Sequence, residues 1–212
     1  MSGAGGTTVG LFGGSFNPPH AAHQLVALYC LETQPIDQIW FMPVYDHVFG
    51  KDLAPFADRM RMCEQVAAAL GPRARVTADE EDLAKTPGFV GSRTFDLLEM
   101  LARNHPTTRF RWIVGTDILS ETDKWHRWDD VVAMAPLIVV GRTGHPVPAG
   151  SSVTGLAMPE VSSTAIRAAL AGLTPEVREA LRRGEQPAEV GSLRSLLPAS
   201  VLRYIAERDL YS

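Results

Sequence analysis

The sequence predicts an α/β protein, with an open parallel sheet, helices on both sheet faces and a helical C-terminal tail. Three observations lead there. Short apolar runs alternate with longer helical stretches, the order expected of βαβ units. The apolar runs are continuous rather than alternating, as in strands covered on both faces. With 212 residues, 45% hydrophobic and 21% charged, the chain is long enough to bury one substantial core and is ordinary for a globular protein.

The elements follow in order. Val9 to Phe12 reads as a strand ending at Gly13-Gly14, and a helix is expected from about Pro19 to Thr33. Ile39 to Met42 is a second strand, stopped by Pro43; a long loop and a helix from near Phe56 to Leu70 come next. Arg75 to Thr77 is a third, weaker strand. Phe95, Leu98 and Leu101 recur at helical spacing, placing a helix over Thr94 to Asn104. Phe110 to Val114, closed by Gly115, and Leu137 to Val140, closed by Gly141, are strands four and five. A short sixth is expected near Thr154 to Leu156, and helices dominate from Ser163 onward, with a loop over Gly184 to Gly191. There is no internal repeat, and Pro146 to Ser152 reads as a loop rather than a linker. One domain over 1–212 is expected, with 172–212 as a C-terminal helical extension. This order is Rossmann-like, and such sheets bind ligands beyond the carboxyl ends of their strands, where strand order switches. The loops after strand one (Gly13 to His23), strand two (Pro43 to Lys51) and strand four (Gly115 to Asp117) therefore hold the expected site.

Composition narrows the partners. A net charge of −4 gives no overall field favouring nucleic acid. The two cysteines, Cys30 and Cys63, lie far apart in apolar helical stretches and read as small buried hydrophobes rather than a zinc site or disulfide. No segment approaches the ~18 apolar residues of a membrane span, and Met1 to Gly6 lacks the pattern of a signal peptide. The expected location is the cytoplasm, without membrane or nucleic-acid partners; a homo-oligomer stays open. The dinucleotide fingerprint G-x-G-x-x-G and the P-loop G-x-x-x-x-G-K-[ST] are both absent, which argues against a dehydrogenase and a P-loop kinase.

Two motifs carry chemistry. In Gly13-Gly14-Ser15-Phe16-Asn17-Pro18-Pro19-His20-Ala21-Ala22-His23, glycines at a strand end allow close backbone approach to a bulky anion. The free N–H groups of the following helix face the same space. His20 and His23, three apart, are expected to share one helix face, where positive imidazoles would oppose the helix dipole unless a phosphate were bound. The histidines could form a metal pair, but no third ligand is evident nearby. The second motif, Ser162-Ser163-Thr164-Ala165-Ile166-Arg167, places a serine N-cap before a helix and a cation in its first turn. Hydroxyls, N–H groups and an arginine together suit a phosphate chain.

With these motifs in hand, the sequence resembles the bacterial nicotinate-nucleotide adenylyltransferases of the HxGH nucleotidyltransferase superfamily. Gly13 to His23 is similar to that family's GG[ST]F[DN]PxHxGH motif, Ser162 to Arg167 to its [IV]SSTxIR motif, and Gly115-Thr116-Asp117 to its GxD segment. Leu197-Pro198, Val201, Tyr204-Ile205 and Leu210-Tyr211 resemble its LPxxVxxYIxxxxLY tail. The resemblance runs from near residue 8 to the C-terminus. It implies in-line attack of a mononucleotide 5′-phosphate on the α-phosphorus of ATP, with release of pyrophosphate. Catalysis is then positioning plus charge stabilisation, with no base required.

By that resemblance His20, His23 and Arg167 are the catalytic residues. Gly13, Gly14, Ser15, Phe16, Gly115, Asp117, Ser163 and Thr164 bind ATP, with Asp117 a candidate acceptor for ribose hydroxyls. The acceptor-side candidates are His47, Lys51, Arg93, Trp125 and Arg142. Mg²⁺ is expected on the ATP phosphates, with no dedicated protein ligands. The partners implied are ATP and a pyridine mononucleotide, nicotinate or nicotinamide. The alternatives are the same chemistry on another phosphorylated acceptor, such as phosphopantetheine, and a non-catalytic nucleotide binder. The sequence departs from the family at Ala22 for glycine, Asn17 for the common Asp, Val44 to Lys51 for a Pro-rich loop, and Phe89 to Thr94 for a Ser-Tyr-Thr segment. Ala22 raises the expectation of a methyl near the ATP, and Asn17 keeps an acceptor while losing a charge.

Overall fold

The structure, a computed structural model, describes residues 6–46, 53–141, 146–156 and 161–212. One sheet holds β1 (Thr8–Gly14), β2 (Gln38–Pro43), β3 (Ala74–Val76), β4 (Arg109–Gly115), β5 (Leu137–Val140) and β6 (Ser152–Thr154). Their order is β3-β2-β1-β4-β5-β6, and every neighbouring pair is parallel. The predicted open parallel sheet is thus present. The chain winds outward from β1 to β3, returns past β1 to β4, and winds outward the other way. Pairing of β1 with β4 ends at Leu11 with Trp112. Yet β1 stays paired to β2 as far as Gly14 with Pro43, and β4 to β5 as far as Gly115 with Val140. The two central strands therefore part at their carboxyl ends, at the switch in strand order where such sheets bind ligands.

Successive strand residues serve opposite faces. Ile39, Phe41, Ile113, Ile138 and Val140 enter one core. Its other side is built by α1 (Ala21–Thr33), α2 (Phe56–Ala68), α6 (Ser163–Ala171), α7 (Pro175–Arg182), α8 (Gly191–Arg194) and α9 (Ala199–Glu207). Val9, Leu11, Trp40, Met42, Trp112 and Val114 enter a second core against α4 (Thr94–Asn104), α5 (Trp128–Met134) and Leu83 of α3 (Asp79–Ala84). Helices thus cover both faces, as predicted. Val177, Leu181, Leu193, Val201 and Ile205, from beyond residue 172, share the first core with the strands. Both cysteines are free and buried. Among the described residues no helix is long and apolar enough to cross a membrane.

The structure differs from expectation at several elements. Helix α1 starts at Ala21, two residues past Pro19, because His20 keeps extended backbone as the N-cap rather than joining the helix. His20 is the extended N-cap, with φ −140° and ψ 174°. Strand β6 lies two residues earlier than expected; it is a short edge strand whose Val153 is exposed, so it carries little apolar pattern. Helices α3 and α5 were not anticipated. The first is an acidic run with only Glu80 and Leu83 buried, too short to show a stripe. Residues Ala188–Val190 form a 3₁₀ turn inside the expected loop.

Candidate active site

The site begins where β1 ends. A side chain at Gly13 would meet the Trp112 ring at 2.9 Å, and one at Gly14 the Phe16 ring at 3.3 Å. A side chain at Gly13 would force the Trp112 ring to move, and one at Gly14 would crowd Phe16, so aromatic packing under the strand end favours both glycines besides any ligand approach. Phe16 is buried with φ 45°, a left-handed turn that a non-glycine residue adopts only when its surroundings hold it. Its ring lies edge-on to the His23 ring, centroids 4.9 Å apart.

His20 and His23 come together, though not along one helix face. His20 is the N-cap and His23 the third helical residue, and their rings stack with centroids 3.8 Å apart. The His20 backbone N–H donates to His23 Nδ1 at 3.1 Å. That bond assigns the proton of a neutral His23 to Nε2, leaving Nε2–H as a donor. Burial lowers the His20 pKa from 6.5 to about 4. Burial and the neighbouring His20 lower that of His23 to about 3. Both rings are neutral at pH 7, which removes the conflict with the helix dipole. His20 is only 5% exposed, and its Nδ1 has no hydrogen-bond partner among the described residues.

The second motif meets the first through Asn17. Arg167 donates from Nη1 to the Asn17 carbonyl at 2.8 Å and from Nη2 to Thr164 Oγ1 at 3.3 Å. Ser162 caps α6 by accepting the Ala165 N–H at 3.4 Å, and Ser163 and Thr164 open the helix. Asn17 Oδ1 accepts from the Ala54 N–H at 3.1 Å and from the Tyr211 hydroxyl at 2.8 Å. Both of these bonds use an acceptor oxygen, which an Asp at this position would also offer. Ala22 is buried, so its methyl packs against the protein rather than into an open cleft.

Across the crevice, at the end of β4, Asp117 folds back over Gly115. A side chain at Gly115 would lie 2.4 Å from Asp117 Oδ1. The acceptor-side candidates divide. His47, Lys51 and Arg142 lie outside the described residues. Arg93 is the N-cap of α4 and half-buried. No hydrogen bond, ion pair or ring contact engages its guanidinium among the described residues. Its neighbour Ser92 accepts the Asp46 N–H at 3.4 Å, tying this turn to the loop after β2. On the other side Arg127 lies 3.7 Å over the Phe95 ring, next to Trp125, whose ring packs edge-on against Trp128 at 5.4 Å. The turn at Ser92 to Phe95 is thus flanked by the strand-two loop and the Trp125 segment.

Two important residues escaped the sequence reading. Arg59, 1% exposed, donates to the carbonyls of Ala54 (2.9 Å), Ser15 (3.0 Å) and Val44 (2.8 Å), clamping the loops after β1 and β2. Burial lowers its pKa. Its signal was an arginine on the buried stripe formed with Met62, Cys63 and Val66. Glu80, also buried, stands behind the same loop, where Ser92 and the Tyr45 backbone oppose the rise that burial gives its carboxyl pKa. Nothing in its acidic run sets it apart from its neighbours.

Residues 11–169 match the family model described as cytidylyltransferase-like. Fold and site thus define a cytidylyltransferase-like protein. A relative from Anaeromyxobacter dehalogenans strain 2CP-1, named "Probable nicotinate-nucleotide adenylyltransferase", is 47% identical over 208 residues, 98% of each chain. One of the same name from Myxococcus xanthus is 36% identical over 203 residues, 96% of this chain and 94% of its own. The chain belongs to the nicotinate-nucleotide adenylyltransferase family. A solved structure titled Plasmodium falciparum nicotinic acid mononucleotide adenylyltransferase complexed with NaAD matches with a TM-score of 0.71 over 97% of both chains. At 17% identity that likeness speaks for the fold.

Proposed function

We propose that this chain transfers the AMP unit of ATP to nicotinate mononucleotide and releases pyrophosphate, a step of NAD biosynthesis. The observation that carries the reading is the junction at Asn17. It joins the histidine pair on β1–α1 to Arg167 on α6, 150 residues away, beside the crevice between β1 and β4. A chain with those two motifs joined at the switch point suits a polyphosphate that spans both.

The chemistry follows from the groups present. The acceptor phosphate is already an anion, so the protein needs no general base. Its task is to align the phosphate with the α-phosphorus of ATP and to stabilise charge on the phosphoryl oxygens. His20 and His23 serve as neutral N–H donors to those oxygens. Arg167 uses one N–H for Asn17 and one for Thr164, and a guanidinium has five in all. The others, with Ser163, Thr164 and the free N–H groups of α6, hold the β- and γ-phosphates. Ser15 follows the Gly13-Gly14 turn as a further phosphate contact, with Phe16 fixing the turn. Asp117 takes the ribose hydroxyls. Mg²⁺ enters on the ATP phosphates, where it neutralises charge. Such an ion is bound mainly by phosphate oxygens and water. Trp125 stacks on the pyridine ring, Arg93 reads its carboxylate, and His47, Lys51 and Arg142 contact the acceptor. The free, buried cysteines suit a cytoplasmic protein.

The test is pyrophosphate release with ATP, Mg²⁺ and either nicotinate mononucleotide, nicotinamide mononucleotide or phosphopantetheine. Turnover strongest with nicotinate mononucleotide is expected, and Arg93→Gln should raise the KM for that acceptor while sparing nicotinamide mononucleotide. Turnover with phosphopantetheine instead, or with none of the three, overturns the assignment.

A further inference from the structure

The C-terminal tail reaches the phosphate loop. After α9 the chain turns back through Asp209 (φ 49°) and Tyr211 (φ 57°), both left-handed without being glycine. Such backbone persists only where contacts hold it, and here two sets do. The buried Arg178 of α7 donates to the carbonyls of Leu210 and Tyr211, each at 3.3 Å, and to that of Leu170 at 2.7 Å. Leu170 belongs to α6, the helix that opens with Ser163, Thr164 and Arg167. The Tyr211 hydroxyl then donates to Asn17 Oδ1 at 2.8 Å, and the Asn17 carbonyl receives Arg167 at 2.8 Å. The contacts close a ring: α6, Arg178, the tail, Tyr211, Asn17, Arg167 and α6 again. A side-chain oxygen fixed by two donors holds its own backbone in place, and that backbone supplies the carbonyl that aims the arginine.

We propose that Tyr211 is a positioning residue for adenylyl transfer, its hydroxyl holding Asn17 so that Arg167 is oriented for the phosphates. The inference rests on the phosphate role given to Arg167 above. Burial raises the Tyr211 phenol well above its ordinary range, so it stays a donor across the working pH.

A matched pair of hydroxyl deletions supplies the test. Tyr204 is a second tyrosine of the same tail, donating at 2.8 Å to Asp58 on α2, with no hydrogen bond from its hydroxyl to either motif among the described residues. Tyr211→Phe is expected to lower kcat about tenfold, the scale of one hydrogen bond that matters in the transition state, with the acceptor KM nearly unchanged. Tyr204→Phe is expected to lower the thermal midpoint while keeping kcat. In an Arg167→Ala background, Tyr211→Phe should add nothing, because the hydroxyl acts through that arginine. Equal kcat effects from the two deletions, or full additivity with Arg167→Ala, overturn the proposal. ATP binding by calorimetry gives a readout independent of the acceptor. If no acceptor turns over, the reaction assigned above falls. The strap then stands if Tyr211→Phe weakens ATP binding in the native background and not in Arg167→Ala, and falls if it does not.

Discussion

Replacing Glu80 by glutamine should make stability less dependent on pH, by an amount the structure sets. Glu80 is 7% exposed, and its Oε2 has no hydrogen-bond partner among the described residues. Burial raises its carboxyl from 4.5 to about 7; Asp79 adds to the rise, while Ser92, the Tyr45 N–H and Arg59 oppose it. A folded-state pKa above the unfolded value means that the fold favours the protonated acid. The stabilisation is therefore complete below pH ~4.5 and is lost as pH rises through about 7. At 1.36 kcal/mol per pH unit the full loss is about 3 kcal/mol. Glutamine has the shape of the neutral acid and cannot ionise. Urea unfolding of both proteins should give similar stability near pH 4.5, and by pH 8 the variant should lead by about 3 kcal/mol. For a chain of this size that is roughly 6–12 °C in Tm. The histidines act in the opposite sense: with pKa values lowered to about 4 and 3, they destabilise the fold as pH drops below 6.5. They are common to both proteins and cancel in the difference. A difference that stays flat from pH 4.5 to 8 would refute a buried, displaced Glu80.

Three further outcomes follow from the same geometry. Since His20 and His23 are neutral in the folded protein, kcat should show no histidine titration between pH 5.5 and 8, while His20→Ala should cut it on the order of 10²-fold; both are read from pyrophosphate release. Arg59→Met strands three loop carbonyls at Ala54, Ser15 and Val44, and chemical denaturation should show a loss of roughly 3 kcal/mol or more. Gly115→Ala places a methyl where Asp117 Oδ1 lies, so the carboxylate must move, and steady-state kinetics should show a raised KM for ATP with the acceptor KM little changed.

What the sequence disclosed about this chain is what local spacing encodes. Helix α4 was legible to the residue because Phe95, Leu98 and Leu101 keep one apolar face over its whole length. Strand β5 was legible because Leu137 to Val140 is buried on both faces and closed by Gly141 at φ 113°. The phosphate motifs were legible because each lies within a dozen residues. Where spacing misled, the helix cap intervened: His20 stays extended ahead of α1, so an expected helix-face pair of histidines is an N-cap stacked on the third helical residue. The illegible part is the support. Arg59 contacts Ser15 from 44 residues away, Arg167 contacts Asn17 from 150, and Tyr211 contacts Asn17 from 194. No periodicity records such pairings, because the partners lie far apart in the chain and no spacing links them. Yet these bonds join the two short motifs, bringing Arg167 and Tyr211 onto Asn17. Asn17 shows why both kinds of reading are needed. Alone it is a departure from an acidic consensus; in the fold it is an acceptor shared by Ala54 and Tyr211, with a carbonyl that holds Arg167. Asp would offer the same acceptor oxygen to Ala54 and Tyr211, whereas alanine or leucine would leave both donors without it.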